Sequence, residues 1–194
     1  MSSTSPYDEV TALALAAKAG DRDAASAFVA ATRADVRRFL AHLIDASEAD
    51  DLAQETYLRA MRALPRFAAA STARTWLLAI ARRVAADHIR TLTRRPRTRG
   101  DDDLTGLIDR VGPRERFDDA VILTGLVDAL PDERRTAFVA TQILGLSYAE
   151  AAEVCGVPVG TIRSRVARAR DDLIRAMRAD EPSRPPTRRL RATS

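Results

Sequence analysis

The hydrophobic positions of this chain follow a helical period in two separate blocks. Between residues 8 and 94, apolar residues recur every three or four positions, in four stretches separated by glycine, proline or polar turns. The period is lost between residues 95 and 117 and returns from residue 118. No stretch alternates between apolar and polar residues as a half-buried strand would. The pattern predicts an all-α protein of two small helical domains, the first of them a four-helix bundle.

These changes of pattern predict four segments: a helical domain at residues 1–94, a flexible linker at 95–117, a second helical domain at 118–178 and a disordered tail at 179–194. The linker combines proline, glycine, a basic cluster and the triplet Asp101, Asp102 and Asp103, with little apolar content. Such a composition is typical of chain that buries too little apolar surface to fold. The tail also lacks an apolar period.

The composition says more about the cellular compartment of the protein than about its function. Of 31 basic residues only Lys18 is lysine; arginine suits phosphate and guanine recognition, although a GC-rich genome produces the same bias. The single cysteine, Cys155, excludes an internal disulfide and fits a reducing compartment. The N-terminus lacks the features of a signal peptide, and the longest apolar run is too short for a bilayer. We therefore expect a soluble, cytoplasmic protein with no membrane span.

Catalytic and metal-binding patterns are absent from the sequence. His42 and His88 have no ligand-like neighbours, so we expect both at solvated helix positions. No cluster of His, Cys, Asp and Glu has the spacing of an active site or a metal site. The sequence predicts no metal, no cofactor and no enzyme activity.

The segment "SYAEAAEVCGVPVGTIRSRVARARDDL" has the signals of a helix-turn-helix. Ser147 and Glu150 form the Ser-x-x-Glu pattern that begins a helix. Gly156 ends that helix, and Pro158 begins the next one, where its missing N–H is not needed. In this motif the second helix enters the DNA major groove while flanking cations contact phosphates.

The second helix of this motif has one apolar stripe, and we expect its opposite face to read bases. The stripe that we expect in the core consists of Ile162, Val166, Ala169 and Leu173. The predicted contacts are Arg163, Ser164, Ala167 and Arg168 with base edges, and Thr161, Arg165 and Arg170 with phosphates. The alternative is an ordinary solvated amphipathic helix; the capping box and the turn favour DNA.

Two long stretches resemble a known family, the extracytoplasmic-function sigma factors of the sigma-70 family. "GLSYAEAAEVCGVPVGTIRSRVARARDDL" is similar to their fourth region, and "EADDLAQETYLRAMRALPRF" with "TARTWLLAIARRVAADHIR" is similar to their second. The details most resemble the actinobacterial sigma-C subgroup. The resemblance implies a non-enzymatic subunit that binds core RNA polymerase, reads the −35 promoter element as duplex and opens the −10 element.

The resemblance also implies a surface that holds single-stranded −10 DNA, in the loop from Phe67 to Thr75 and on the helix that follows. The residues expected there are Phe67, Ser71, Thr72, Arg74, Thr75, Trp76, Arg82, Arg83 and Arg90. Base-stacking platforms in such sites are often aromatic. For the Trp76 ring we favour a core role, with Arg74 and Thr75 nearer the DNA. Many family members have asparagine at the position of Arg83, so contacts there differ in base choice or reach only phosphates.

In the family, the segment "DDLAQETYLRA" binds the clamp coiled coil of the large polymerase subunit. Asp51, Gln54, Glu55 and Arg59 recur at three- and four-residue spacing and form one polar stripe, with Leu52 beside it. Without the resemblance, a solvated stripe with Glu55–Arg59 pairing would be the simpler interpretation. With it, these five residues are the expected polymerase-binding set.

The sequence is compatible with more than one form of regulation and with two competing functions. Many relatives are held inactive by an anti-sigma protein, and inhibition by packing of the chain's own two domains is the alternative. The linker aspartates either mimic nucleic acid in a basic channel or belong to a solvated tether. A conventional helix-turn-helix regulator would need an effector pocket or a phosphorylation site, neither of which the sequence suggests. A pure protein-interaction bundle would not bind single-stranded −10 DNA.

Overall fold

The computed structural model describes residues 6–94 and 119–179, and within these ranges every regular element is helical. The N-terminal block comprises α1 (Pro6–Lys18), α2 (Arg22–Leu43), α3 (Ala49–Ala63) and α4 (Ala73–Arg94). The C-terminal block comprises α5 (Asp119–Asp128), α6 (Asp132–Phe138), α7 (Tyr148–Cys155) and α8 (Val159–Ala179). The predicted all-α class is confirmed. The predicted linker and almost all of the predicted tail lie outside the described residues.

The N-terminal block is a bundle around α2 and α4. Gly20 has φ +102° and ends the turn after α1, and the Asp21 carboxylate accepts hydrogen bonds from the first N–H groups of α2. On α2, Phe28, Phe39 and Leu40 are fully buried, and they share one helical face. The facing residues of α4 are equally dry; they are Leu77, Leu78, Ala81 and Val84. None of the described helices combines the length and the apolar character needed to cross a bilayer.

The helix-turn-helix forms as the local sequence signals predict. The Ser147 hydroxyl accepts from the Glu150 N–H at 3.2 Å, and the Glu150 carboxylate accepts from the Ser147 N–H at 2.9 Å, so the capping box is complete. Gly156 adopts the left-handed conformation at φ +66°, which favours glycine, and closes α7. Pro158 lies one residue before α8, and its carbonyl accepts from Thr161 and Ile162.

Removal of this cap is expected to lower stability modestly. Ser147→Ala leaves the Glu150 N–H without its acceptor, which costs about 1 kcal/mol. The thermal unfolding midpoint of the full chain, followed by circular dichroism, should fall by about 2–4 °C. The control is Ser26→Ala: Ser26 is exposed within α2 and donates to the Arg22 carbonyl. Alanine is the better helix former there, so an equal fall in both variants would contradict the capping role.

The two blocks pack against each other. Helix α4 lies against α7, and α2 lies against α5 and α6. The buried apolar side chains of the two blocks belong to one cluster. Between α6 and α7 the chain makes a π-helical turn (Val139–Ile143) and then Gly145, with φ +71°. The carbonyl of Leu144 is thereby left outside the helices and faces α4, where it meets Arg74.

Candidate nucleic-acid interface

Helix α8 presents one dry face and one open face. Ile162 and Val166 are 0% and 1% exposed, and Ala169 and Leu173 are also buried. Arg163, Ser164, Ala167 and Arg168 are all exposed on the other side. Neither of these two arginines pairs with a carboxylate among the described residues, so their guanidinium groups are available to a ligand. The apolar stripe therefore orients the four residues that we predicted to read bases toward the outside of the packed chain.

The three residues that we predicted on phosphates differ in how they are held. Arg170 donates to the Gln142 side-chain carbonyl at 2.8 Å and lies at the edge of the open face. Thr161 is half-buried, and its carbonyl accepts from the Ser164 hydroxyl at 2.9 Å. Arg165 pairs with Glu133 of α6 at 2.5 Å, and its side chain is only 18% exposed. The structure therefore places Arg165 against α6, apart from the four open residues.

The aromatic residues of the predicted single-strand surface pack together. The Phe67 ring is buried and lies 4.9 Å from the Trp76 ring, centroid to centroid, with the planes tilted by 43°. The Phe67 carbonyl accepts from the Lys18 ammonium at 2.7 Å, which fixes the start of the loop. Trp76 packs against the core, which matches the role that we favoured for its ring. In this arrangement no open aromatic platform is formed by these two rings.

The loop between these aromatics contains a backbone feature that the sequence does not signal. Ala69 has φ +51°, the only described non-glycine residue at positive φ. A residue with a Cβ is uncommon in this region, and such strain persists only where the surroundings enforce it. Three residues later Thr72 caps α4, because its hydroxyl accepts from the Thr75 N–H at 3.2 Å. The cap fixes the point at which the loop becomes helix.

Arg74 and Thr75, the two residues that we expected nearest the DNA, are covered by the C-terminal block. Arg74 donates from Nε to the Asp35 carboxylate at 2.6 Å and from Nη2 to the Leu144 carbonyl at 2.7 Å. The Thr75 hydroxyl lies 3.4 Å from the Glu150 carboxylate. Their relative exposures are 6% and 1%. In the packed arrangement neither side chain is open to a nucleic acid.

The remaining predicted single-strand residues are more accessible. Ser71, Thr72 and Arg82 are half-buried, whereas Arg83 and Arg90 are exposed. Arg90 pairs with Asp87, which also accepts from Arg59 of α3. The hydrogen bonds from Arg59, and then from Arg90, hold the pKa of Asp87 below its usual value. Residues 82, 83 and 90 therefore give α4 a basic surface of which only part is covered.

The polar stripe on α3 is formed as the spacing predicts, but Leu52, the fifth residue of the expected polymerase-binding set, is buried. Asp51 and Gln54 are exposed, and Glu55 is half-buried and accepts from Arg59 at 2.7 Å. Leu52 is only 8% exposed and belongs to the core, so it supports the stripe from beneath. The exposed part of this surface is acidic and suits a basic partner.

The histidines are not at solvated positions, and that expectation was wrong. His42 of α2 lies 3.0 Å from the Asp128 carboxylate of α5, with its side chain 14% exposed, so it links the two blocks. His88 lies 2.7 Å from the Glu48 carboxylate. Both partners are distant in sequence, so no local pattern signals them. Among the described residues, no group of three His, Cys, Asp or Glu could hold a metal.

Sequence reasoning also missed the residues that cover Arg74. Asp35 and Leu144 lie 39 and 70 positions from Arg74. Glu150 was identified as a capping residue, but its second contact, with Thr75, was not. A backbone carbonyl has no residue-specific signal, and a lone Asp on a helix is usually solvated. Only the packing of the two blocks reveals this cluster.

Comparison with known proteins identifies both blocks. The family described as Sigma-70 region 2 matches residues 28–95, and Sigma-70 region 4 matches residues 120–173. The ECF RNA polymerase sigma factor SigC of Mycobacterium tuberculosis is 54% identical over 182 residues, covering 93% of this chain and 98% of the relative.

Two solved structures have a similar fold. CnrH, in complex with the cytosolic domain of CnrY, has a TM-score of 0.68 at 25% identity and covers 89% of this chain and 99% of its own. The sigma factor RpoE of Bartonella quintana, in complex with the anti-sigma factor NepR, has a TM-score of 0.63 at 26% identity, covering 78% and 95%.

Proposed function

This chain belongs to the extracytoplasmic-function group of the sigma-70 family, the promoter-recognition subunits of bacterial RNA polymerase, and from this premise we propose a role for each of its surfaces. It is a non-enzymatic transcription initiation factor that resembles the sigma-C members. We assign core polymerase and −10 binding to residues 1–94 and −35 binding to residues 118–178. The residues between them form the tether.

The open face of α8 reads the −35 element. One observation carries this assignment: Ser164 and Arg168 are exposed, while Ile162 and Val166 on the opposite face are dry. A helix docked in the major groove needs such a division, since its reading side chains must reach base edges while the other face anchors it. Arg163 and Arg168 supply paired donors for guanine, and the small Ala167 permits close approach. Thr161 and Arg170 contact phosphates at the edges.

Transcription from a randomised template tests the proposal. Core polymerase with the full chain should enrich one sequence class at −35 and one at −10 from a library randomised at both elements. Core polymerase alone is the control. The proposal fails if the chain changes the products at neither element.

The −10 surface works only after the domains separate. Arg74 and Thr75 are the two residues that we expected to lie nearest the single-stranded DNA. In the packed chain Leu144 of the C-terminal domain covers Arg74, and Glu150 covers Thr75. Separation of the domains would release Nη2 of Arg74 from the Leu144 carbonyl and expose it to the displaced strand. We propose that the packed arrangement is an inactive form and that polymerase binding holds the two domains apart. In that state the single-stranded element is held by residues 71–75 together with Arg82, Arg83 and Arg90.

The acidic stripe on α3 docks on the clamp coiled coil of the large polymerase subunit. Charge reversal at two positions of the stripe, Asp51→Arg with Glu55→Arg, should lower affinity for core polymerase about tenfold, because like charges then meet across the interface. Titration of fluorescently labelled chain with core polymerase measures this.

The matched control for the α3 variants is Asp50→Arg. Asp50 stands in the same first turn of α3, so reversal there has the same effect on the helix dipole. It pairs with Arg37 and is not one of the five residues that we assign to the interface. An equal loss of affinity in Asp50→Arg would mean that the interface lies elsewhere, or that the loss comes from the change in net charge and not from a local contact.

An anti-sigma partner is the second candidate form of control. The solved RpoE neighbour is in complex with the anti-sigma factor NepR. In the present chain the C-terminal domain itself covers Arg74, which favours internal packing as the first level of inhibition. If an anti-sigma protein also acts, it should bind the purified chain and block polymerase binding beyond the level that packing gives. We place the protein in the cytoplasm, where core polymerase acts.

A further inference from the structure

A cavity of about 250 Å³ lies between the two domains, away from the open face of α8. One wall comes from α4, with Arg82 and Arg90 beside the aliphatic residues Ala85 and Ile89. The other wall comes from α6, α7 and α8. Because both domains contribute, the cavity exists only while they are packed.

The charge of this cavity is unbalanced. Arg82 and Arg90 face Arg135 and Arg165 of the C-terminal domain, and the acidic lining residues are Asp132 and Glu133. Arg90 is paired with Asp87 beside the cavity, so the excess positive charge comes from Arg82. Both acids are already engaged: Arg135 pairs with Asp132, and Arg165 pairs with Glu133, each at 2.5 Å.

Two arginines of this cluster have donor groups without acceptors. Arg82 makes no hydrogen bond or ion pair with any described residue, and the buried Nε of Arg135 has no hydrogen-bond partner among them. Packing the domains thus brings arginines of one domain toward arginines of the other, and no described carboxylate forms an ion pair with Arg82. Like charges brought together in a partly dry space disfavour the packing unless an anion joins them.

We propose that this cavity binds a small phosphate-bearing anion, which joins Arg82 of the first domain to the Arg135 and Arg165 side of the second. A phosphoryl group is suited to this cluster, because guanidinium groups bind its oxygens with paired, charge-assisted hydrogen bonds. The volume admits a pyrophosphate, or a nucleoside monophosphate whose non-polar part lies on Ala85 and Ile89. A drug-sized site typically has about 300–1,000 Å³, so the ligand must be compact.

The consequence for the sigma factor follows from linkage. An anion that binds only the packed form stabilises that form, whereas polymerase requires the separated form. The anion therefore lowers the affinity of the chain for polymerase, and polymerase lowers its affinity for the anion by the same factor. The effect on transcription rests on the function proposed above, whereas binding to the free chain does not. The two are therefore tested separately.

Cys155 is a natural reporter of this site. It is the only cysteine of the chain, it lines the cavity and it is 3% exposed. Burial raises the pKa of its thiol, although Arg82 and Arg165 act in the opposite direction. A buried, protonated thiol reacts slowly, so any step that separates the domains should speed its reaction with a disulfide reagent.

The test uses the purified full chain with sodium pyrophosphate, AMP or neither, at ionic strength matched with sodium chloride. We expect pyrophosphate or AMP to raise the thermal midpoint and to slow Cys155 labelling at least fivefold. Arg82→Gln should remove both effects. Arg83→Gln is the matched control, because Arg83 is the next residue of α4, is exposed and does not line the cavity; it should retain both.

The two ligands separate the sources of the phosphate. Stronger protection by AMP shows that the aliphatic wall is used, and equal or stronger protection by pyrophosphate shows an inorganic site. The proposal is overturned if neither ligand protects the wild-type chain, or if Arg82→Gln and Arg83→Gln respond alike. Normal promoter-specific transcription in that case leaves the sigma function intact and removes only the anion site.

Discussion

Replacing Arg74 with methionine is expected to separate the two domains, seen as an increase of about ten- to hundredfold in the rate at which Cys155 reacts with a thiol reagent. Methionine has similar length but no donor. The substitution leaves the Leu144 carbonyl without its partner and the Asp35 carboxylate without its guanidinium. An unsatisfied buried polar group costs about 1–3 kcal/mol, and each 1.4 kcal/mol changes the balance between packed and separated forms tenfold.

Arg83→Met is the control for this experiment, since Arg83 is exposed on the same helix. Its labelling rate should stay at the wild-type value. A lower melting temperature in Arg74→Met without faster labelling would mean that Arg74 stabilises only its own domain, through Asp35. That result would contradict the role of Arg74 in holding the domains together. Transcription is not the readout here, because Arg74 is also expected to contact −10 DNA.

Replacing Arg168 with alanine is expected to lower transcription from a −35-dependent promoter about ten- to hundredfold. The side chain is exposed at the centre of the open face, beside Ala167 and one turn after Ser164. A bidentate arginine contact with guanine is worth about 1–3 kcal/mol of discrimination. Since Arg168 is exposed on α8 and the proposed polymerase-binding stripe is on α3, affinity for core polymerase should not change. Single-round transcription and co-purification with polymerase measure the two quantities.

The contact of Arg168 with bases, rather than with phosphates, is tested by changing the promoter. On a template whose −35 element is scrambled, wild type and Arg168→Ala should transcribe equally poorly. Arg178→Ala removes an exposed arginine from the last turn of the same helix and should leave selection unchanged. Equal losses in both variants on every template would reduce Arg168 to a general electrostatic role.

The helices of this protein were predictable because their signals are local. Ser147 with Glu150, and Gly156 with its left-handed conformation, begin and end α7 through contacts within a few residues. The three- and four-residue spacing of Ile162 and Val166 determined which face of α8 is dry. The acidic stripe of α3 followed from spacing in the same way. The burial of Leu52 did not follow from spacing, because a position beside a stripe can lie at the surface or in the core. Here the neighbouring helices cover the side chain.

The state of the −10 surface was not predictable. The chain pattern identified residues 67–75 as a loop leading into a helix, but it could not show that Arg74 is covered. That depends on a carbonyl 70 residues later, released by a π-helical turn that no residue type marks. His42 illustrates the same limit, since its partner Asp128 belongs to the other domain and lies 86 positions away.

The sequence by itself therefore determined the helices, their dry faces, the helix-turn-helix and the family to which they belong. These depend on residues that contact each other within one or two turns, so the order of amino acids specifies them directly. The tertiary structure alone decided which predicted DNA-binding residues are open, and it formed the arginine-lined cavity between the domains. Those features arise from contacts between distant segments, whose free energies are set by the fit of whole surfaces.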